Sequence, residues 1–271
     1  MAQLSGPMLE LRDVTLRFAG LTALSGVSMQ VQPGTVHAVI GPNGAGKTSL
    51  FNCISGVYVP QEGEVLLRGA ATRGEPVHRI AAQGVARMFQ NLGLFENLSV
   101  LDNLLVGAHH GFSTRWWQDL FWLPASRKAE VQARAAAEDI MDFLELARYR
   151  LMPVGLLPYG VKKRVELGRA LCMKPDLLLL DEPAAGLNQE ETEELATYIL
   201  DIGQELGITQ VLIEHELGLV MDLADRITVL DFGHVIADGT PTAVAADSRV
   251  QAAYTGRATE AAADTLSEAP A

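Results

Sequence analysis

Stretches with the patterns of strands and of helices alternate along the chain. Apolar and polar side chains alternate over residues 9–17, as in a half-buried antiparallel strand. The fully apolar run LLLL is of the kind buried on both faces of a parallel sheet. Strand-like runs lie at residues 35–40, 64–69, 85–89, 176–180 and 210–213. This alternation predicts an α/β fold with a mainly parallel sheet and an N-terminal antiparallel β subdomain.

Helical spacing of apolar residues marks the segments between these strands. One apolar stripe begins after Lys47, and a second follows Asn188, which is predicted to cap its helix with the help of Glu191. The stripes consist of Leu50, Phe51, Ile54 and Val57, and of Leu195, Ile199, Ile202 and Leu206. Residues 99–147 are mostly helical in pattern, which predicts a helical insertion over residues 91–172. The segment 226–239 is predicted to form a β-hairpin.

Composition and charge exclude several classes of function. The chain has 271 residues, 48% of them hydrophobic and 20% charged, which is ordinary for a globular protein. Its formal net charge of −12 argues against a nucleic-acid partner and against an anionic membrane surface. The sequence shows no signal-peptide pattern and no apolar stretch of the roughly 18 residues that a membrane span needs. The cysteines, Cys53 and Cys172, have no metal-binding spacing and are expected in the core.

A glycine-rich motif with the spacing G-x-x-x-x-G-K-[ST] follows the strand at 35–40. Its glycines let backbone N–H groups turn towards phosphate oxygens at the start of a helix, where the partial charge is positive. The lysine of such a motif reaches the β- and γ-phosphates, and the hydroxyl after it ligates Mg²⁺. The predicted nucleotide-binding residues are Gly41, Pro42, Asn43, Gly44, Ala45, Gly46, Lys47, Thr48 and Ser49.

Two carboxylates follow the buried strand in LLLLDEP. The strand delivers Asp181 to the carboxyl edge of the sheet, where α/β proteins bind ligands, and a carboxylate there can hold Mg²⁺. Glu182 can polarise an attacking water as a general base. Alone, this Asp-Glu pair is more often a turn and helix cap, but together with the phosphate loop it indicates nucleotide hydrolysis.

Two further polar residues, Gln90 and His215, lie at predicted strand ends. Taken alone, each has a simpler interpretation, as a loop glutamine or a core histidine. At the ligand edge of the sheet, an amide can bind Mg²⁺ and the attacking water, and an imidazole can donate a hydrogen bond to the γ-phosphate.

The order of these motifs resembles the nucleotide-binding subunit of an ABC transporter. That order is Phe18, GPNGAGKT, Gln90, LPYGVKKRVELGRAL, LLLLDEP, AAGLN and His215. The strings RMFQNLGLF, DEPAAGLN, LIEHE and DGTP resemble the ATPase of branched-chain amino-acid importers. The resemblance implies a P-loop NTPase core in a single domain over residues 8–255. Residues 256–271 would then form an acidic tail, which we expect to be mobile.

The resemblance implies a role for each matching residue. Phe18 would stack on adenine, although a core phenylalanine at a strand edge is the alternative. Asp181, Thr48 and Gln90 would hold Mg²⁺. Glu182 would be the catalytic glutamate, His215 the switch histidine, and Gln90 the sensor of the metal and of the membrane subunit.

The motif LPYGV at residues 157–161 departs from the family pattern. In the family this motif contacts the γ-phosphate bound by the second ATPase subunit, so Pro158, Tyr159 and Gly160 are the predicted contact residues. Ser usually stands at position 158 and Gln at 161, and proline supplies neither a hydroxyl nor an N–H. We expect the backbone anion site to survive and the side-chain contact to be lost. Asn188 stands where the family usually has Asp.

All three tryptophans lie in the segment 109–128, together with two phenylalanines. One interpretation is a small satellite core under the helical insertion. The other is a docking surface for the membrane subunit, because aromatic residues anchor interfaces.

The motifs and the resemblance together predict an ATP-hydrolysing subunit of a bacterial ABC importer for branched-chain or related amino acids, with ATP and Mg²⁺ as cofactors. Its expected partners are a second ATPase subunit, identical or paralogous, the integral membrane permease subunits and, indirectly, an extracytoplasmic solute-binding protein. Its expected location is the cytoplasmic face of the inner membrane. The alternatives are a soluble ABC-type ATPase not coupled to transport, and a small-molecule P-loop kinase, which would leave residues 157–171 and His215 unexplained.

Overall fold

The chain divides into two compact units in the computed structural model, which describes residues 6–89, 92–108 and 124–254, without the side chains of 124–129. The first unit comprises Met1–Ile80 and Thr209–Ala271, and the second comprises Ala81–Ile208. The domain limits 8–255 and the helical insertion over 91–172 stay predictions. The Trp-rich segment and the tail from residue 256 lie outside the described side chains.

Ten strands and eight α-helices lie within the described residues. The strands are β1 (Leu9–Phe18), β2 (Leu21–Val31), β3 (Val36–Ile40), β4 (Glu62–Leu67), β5 (Ala70–Ala71), β6 (Val85–Met88), β7 (Leu177–Asp181), β8 (Thr209–Ile213), β9 (Arg226–Asp231) and β10 (His234–Gly239). The helices are α1 (Lys47–Ile54), α2 (Val77–Ala82), α3 (Val100–Ala108), α4 (Pro124–Phe143), α5 (Tyr159–Leu171), α6 (Gln189–Leu206), α7 (Leu217–Leu223) and α8 (Pro241–Ala245).

The first unit contains an antiparallel sheet and a mainly parallel one. The antiparallel sheet has the strand order β2-β1-β4-β5 and forms the predicted N-terminal β subdomain. In the other sheet β3 pairs in parallel with β8 on one side and with β9 on the other, and β10 pairs antiparallel with β9. Every residue of β3 is buried, as the apolar run predicts. Its inward side chains join one core with α7, β9 and α8, formed by Ala38, Ile40, Val220, Val229, Val244 and their neighbours.

The second unit pairs β6 in parallel with β7 and packs α3, α4 and α5 together. Glycines bring helices α3 and α5 close: a Cβ on Gly107 would lie 2.0 Å from the Arg169 carbonyl oxygen, and one on Gly168 would lie 3.5 Å from Leu104. Asn188 caps the start of helix α6: its side chain accepts from the Glu191 N–H, while the Glu191 carboxylate accepts from the Asn188 N–H. This reciprocal cap confirms the predicted start of α6.

The sequence patterns miss β2, β5, α2 and α8. Strand β2 escapes because its alternation is interrupted at Gly26, which has a φ of 60°, and because its pairing with β1 shifts register three times. The other three elements are only two to six residues long, too short to show a period. The hairpin predicted at 226–239 is present as β9 and β10. No helix among the described residues is both long and apolar enough to span a bilayer.

Candidate active site

The glycine-rich motif forms the turn between β3 and helix α1 in the first unit. Gly46 caps α1 in the left-handed region with a φ of 103°, which glycine adopts without strain. The Lys47 side chain is buried, and its Nζ donates to the carbonyl oxygens of Gly41 at 2.7 Å and Pro42 at 3.1 Å. The loop therefore folds around its own lysine, while Thr48 and the tip residues Asn43 and Gly44 are exposed.

The backbone of the β9–β10 hairpin supports this phosphate loop. The Gly233 N–H donates to the Ala45 carbonyl at 3.0 Å, and the Gly233 carbonyl accepts from the Ser25 N–H at 2.9 Å. A Cβ on Gly46 would lie 2.5 Å from the Ala23 carbonyl oxygen, and one on Gly233 would lie 2.7 Å from the same atom. The loop, the start of β2 and the hairpin tip thus meet through backbone atoms, with no room for a side chain.

Phe18 ends β1 next to the tight turn Ala19-Gly20. Its side chain is 40% exposed and meets Tyr58 edge to face, with 5.1 Å between the ring centroids. An exposed ring face is what stacking on a base requires, whereas a core phenylalanine would be covered.

Asp181 is the last residue of β7 in the second unit and is 3% exposed. Arg87 of the neighbouring strand β6 donates from Nη2 to Asp181 Oδ2 at 2.6 Å. Sequence reasoning missed Arg87; the available signal was a single charge inside the apolar run VARMF. The carboxylate is therefore delivered to the strand end as predicted, and it has a cationic neighbour.

Glu182 leaves the strand in a left-handed conformation with a φ of 51°. For a residue with a Cβ this region costs about 1–3 kcal/mol, and such residues cluster at functional sites. The turn is closed by the Ala185 N–H, which donates to the Glu182 carbonyl at 3.2 Å. The strain lies at the residue predicted to act as the general base.

His215 lies two residues beyond β8 and is exposed, so the core-histidine interpretation does not hold. The backbone N–H of His215 donates to the Glu214 carboxylate at 3.0 Å. Gln90, the other polar residue predicted at a strand end, lies outside the described residues.

The start of helix α5 is held by side chains. Pro158 is the N-cap with φ −55° and ψ 154° and provides no side-chain cap. The Tyr159 hydroxyl donates to the Ala185 carbonyl at 3.2 Å, in the loop after Glu182. A Cβ on Gly160 would lie 2.3 Å from Glu191 Oε1, so the glycine allows helix α5 to pack on the cap of α6.

Helix α5 also buries charges that its sequence would leave in solvent. Lys163 is fully buried, with Nζ 5.8 Å from the Tyr159 ring centroid, and Arg164 donates to Glu194 at 2.8 Å. Burial raises the pKa of the Glu166 carboxyl, and the Lys163 and Arg169 charges oppose that shift. The apolar side chains Val161 and Val165 of the same helix are buried too.

A network of hydrogen bonds joins polar side chains of β3, β9 and β10 in the first unit. The Thr228 hydroxyl donates to Asp238 at 2.7 Å, so the 2.8 Å contact between Thr228 and His37 Nε2 requires the imidazole to donate. Burial lowers the pKa of His37 to about 4. His37 is therefore neutral at physiological pH.

The cysteines take no part in this chemistry. Burial raises the pKa of the Cys53 and Cys172 thiols to about 12, so both stay protonated and unreactive.

Family profiles match two parts of the chain. Residues 24–185 match the ABC transporter family, and residues 234–260 match a family described as branched-chain amino acid ATP-binding cassette transporter.

Known relatives align with nearly the full chain. The high-affinity branched-chain amino acid transport ATP-binding protein BraF of Pseudomonas aeruginosa is 41% identical over 94% of this chain and 100% of BraF. Its counterpart LivG of Escherichia coli is 38% identical with the same coverage. The ribose import ATP-binding protein RbsA 1 of Burkholderia thailandensis is 34% identical over 84% of this chain but only 43% of RbsA 1.

Solved structures share the fold. A nucleotide-free ATP-binding cassette from an ABC transporter superposes with a TM-score of 0.80 and 30% identity, over 92% of this chain and 98% of that one. MJ1267 in its ADP conformation gives 0.80 and 29%, over 93% and 100%. The predicted fold class is confirmed.

Proposed function

This chain belongs to the ABC transporter family of ATPases, and on that premise we propose that it powers a bacterial importer of branched-chain or related amino acids. The C-terminal match and the full-length similarity to BraF and LivG support this substrate class. The ribose relative resembles the chain over less than half of its own length, and residues 234–260 match the branched-chain family.

The phosphate loop is the proposed nucleotide-binding element. Lys47 would exchange its two carbonyl partners for phosphate oxygens, and the N–H groups at the start of α1 would face the same anion. Phe18 would stack on adenine with its exposed ring. The loop geometry is the single observation that carries the proposal of nucleotide binding, because the Lys47 ammonium group already lies inside the turn that would bind the phosphates.

The proposed metal residues suit Mg²⁺. Thr48 offers an exposed hydroxyl, and Asp181 offers a carboxylate whose Oδ2 accepts a hydrogen bond from Arg87. Hard oxygen donors, few in number and completed by water and phosphate, are what Mg²⁺ prefers. Gln90 is the third proposed ligand. Bound Mg²⁺ would neutralise charge on the phosphates.

Glu182 is the proposed general base for in-line attack of water on the γ-phosphate. Its strained backbone fixes the direction in which the side chain leaves β7. His215, which is exposed, would donate to the γ-phosphate, and Lys47 would stabilise the charge that develops on the transferring group.

The start of helix α5 is the proposed contact to a nucleotide held by a second ATPase subunit. The N–H groups of its first turn, which no side chain of Pro158 caps, would provide the anion site, and Pro158 lacks the usual hydroxyl. Closure and reopening of the pair would move the permease subunits at the cytoplasmic face of the inner membrane. A solute-binding protein outside the membrane would deliver the amino acid.

A glutamate exchange tests the catalytic assignment. Glu182→Gln should lower ATP turnover by about 10²–10⁴-fold while ATP stays bound, because only the base is removed. The matched control is Glu190→Gln, the same change at an exposed position in the first turn of α6. Near-normal phosphate release by Glu182→Gln would remove Glu182 from this role.

A transport measurement tests the substrate class. The complex of this chain with its permease, in liposomes with the solute-binding protein, should hydrolyse ATP faster with leucine than with ribose. Stimulation by ribose alone would refute amino-acid import and leave the ATPase assignment intact.

A further inference from the structure

The Arg87–Asp181 pair is buried on both sides. The Arg87 side chain is 8% exposed and that of Asp181 is 5% exposed, with 2.6 Å between Nη2 and Oδ2. The Arg150–Glu138 pair of the same unit is as short, but 37% and 36% of its side chains are exposed. Of these two pairs, the buried one is shielded from solvent, so its charges affect each other and nearby ions more strongly.

The strand register and a contact with an aromatic ring orient the guanidinium. Strands β6 and β7 run in parallel register, with Arg87 beside Leu179 and Met88 beside Leu180, so the arginine reaches forward to the strand end. Its guanidinium carbon also lies 4.9 Å from the centroid of the Phe89 ring. Arginine stacked on an aromatic ring and bonded to a carboxylate keeps its direction.

The charge at Asp181 must be balanced in each state of the site. A metal-free nucleotide carries several negative charges, and an unpaired carboxylate beside it would repel it. A divalent cation held at Asp181 would remove this repulsion. Without the cation, the guanidinium on Asp181 Oδ2 is the positive charge in direct contact with the carboxylate.

We propose that Arg87 is a positioning residue that supplies the counter-charge of Asp181 while Mg²⁺ is absent, and so sets how strongly nucleotide binding depends on Mg²⁺. This inference rests on the proposed function, in which Asp181 faces the metal and the nucleotide. The consequence is that the site accepts nucleotide before the metal arrives.

The test compares nucleotide affinity with Mg²⁺ and with EDTA, using a fluorescent ATP analogue. Arg87→Gln should weaken binding in EDTA and change it much less in Mg²⁺, so that the ratio of the two dissociation constants rises about tenfold. Arg87→Lys keeps the charge and should stay near the wild-type ratio. Arg150→Gln, the same change in the exposed pair, should leave the ratio unchanged.

A double variant keeps the test decisive if Arg87→Gln folds poorly. Arg87→Gln with Asp181→Asn removes both charges, and it should restore the affinity in EDTA while losing most of the benefit of Mg²⁺. An unchanged ratio in Arg87→Gln, or equal weakening with and without Mg²⁺, would overturn the inference, because a purely structural arginine affects both conditions alike. If the wild-type chain binds no nucleotide in either condition, the proposed function itself fails.

Discussion

The phosphate loop and the start of helix α5 bind phosphate in the proposed mechanism, but they are built in opposite ways. The loop matches its motif at every position and is enclosed by backbone atoms of β2 and of the β9–β10 hairpin. The start of α5 departs from its motif and meets its surroundings through side chains: the Tyr159 hydroxyl donates to the Ala185 carbonyl, and Gly160 lies close to the Glu191 side chain. A site enclosed by backbone admits no added atom, whereas one held by side chains tolerates changes at exposed positions such as 158.

The largest effect is expected where backbone encloses the loop. Gly233→Ala places a Cβ 2.7 Å from the Ala23 carbonyl at a φ of 79°. We expect it to lower the free energy of unfolding by about 3 kcal/mol and to weaken nucleotide binding at least about tenfold. Denaturant unfolding and nucleotide titration measure the two effects.

Gly207→Ala is the matched control for this prediction. Gly207 has a φ of 66° and open space around it, so only the backbone term of about 1 kcal/mol should remain. Equal nucleotide affinity in both variants would show that the hairpin does not support the loop.

The second effect is the pH dependence of stability that His37 of the first unit contributes. The pKa of His37 falls from its ordinary value of 6.5 to about 4, because burial disfavours the charged ring. The unfolded chain therefore binds the proton more readily, and His37 stabilises the fold fully above pH 6.5. The free energy of unfolding should therefore fall by up to about 3 kcal/mol as the pH falls from 6.5 to 4.

Unfolding at pH 7 and at pH 4.5 measures this contribution. His37→Gln retains a donor for Thr228 and does not titrate, so its stability should fall less between the two pH values. An equal fall in both proteins would assign the pH dependence to other groups.

The smallest effect is expected at the start of α5. Pro158→Ser restores a hydroxyl and an N–H at an N-cap that has no side-chain bond. In a Glu182→Gln background it should tighten ATP-dependent association about tenfold, through a bond to phosphate worth about 1.5 kcal/mol. Sedimentation at several protein concentrations measures the change.

Pro158→Ala separates the two restored groups, because it returns the N–H without the hydroxyl. An effect of Pro158→Ala as large as that of serine would assign the gain to the backbone. Unchanged or weaker association in both variants would contradict the proposal that Pro158 removes a contact to phosphate.

Local patterns predicted what depends on local sequence. The apolar runs identified β3 and β7, and the Asn188–Glu191 pair identified the start of α6, because strand burial and helix capping leave signals within a few residues. The phosphate-loop turn was predicted from its glycine spacing for the same reason.

Contacts between distant segments were not predictable from those patterns. Arg87 meets Asp181 across 94 positions of sequence, and Gly233 supports a loop almost two hundred residues before it. The burial of Lys163 likewise depends on how helix α5 packs in the second unit. Such contacts depend on tertiary packing, which no periodicity records.

The most direct test of the account is the mass of the Glu182→Gln chain in solution with ATP, with ADP and without nucleotide. The loop of one chain and the α5 start of another are proposed to hold one ATP between them. Sedimentation should therefore show the mass double with Mg²⁺ and ATP, and remain that of one chain with ADP. A chain that binds ATP yet keeps the same mass in all three conditions would contradict the shared site.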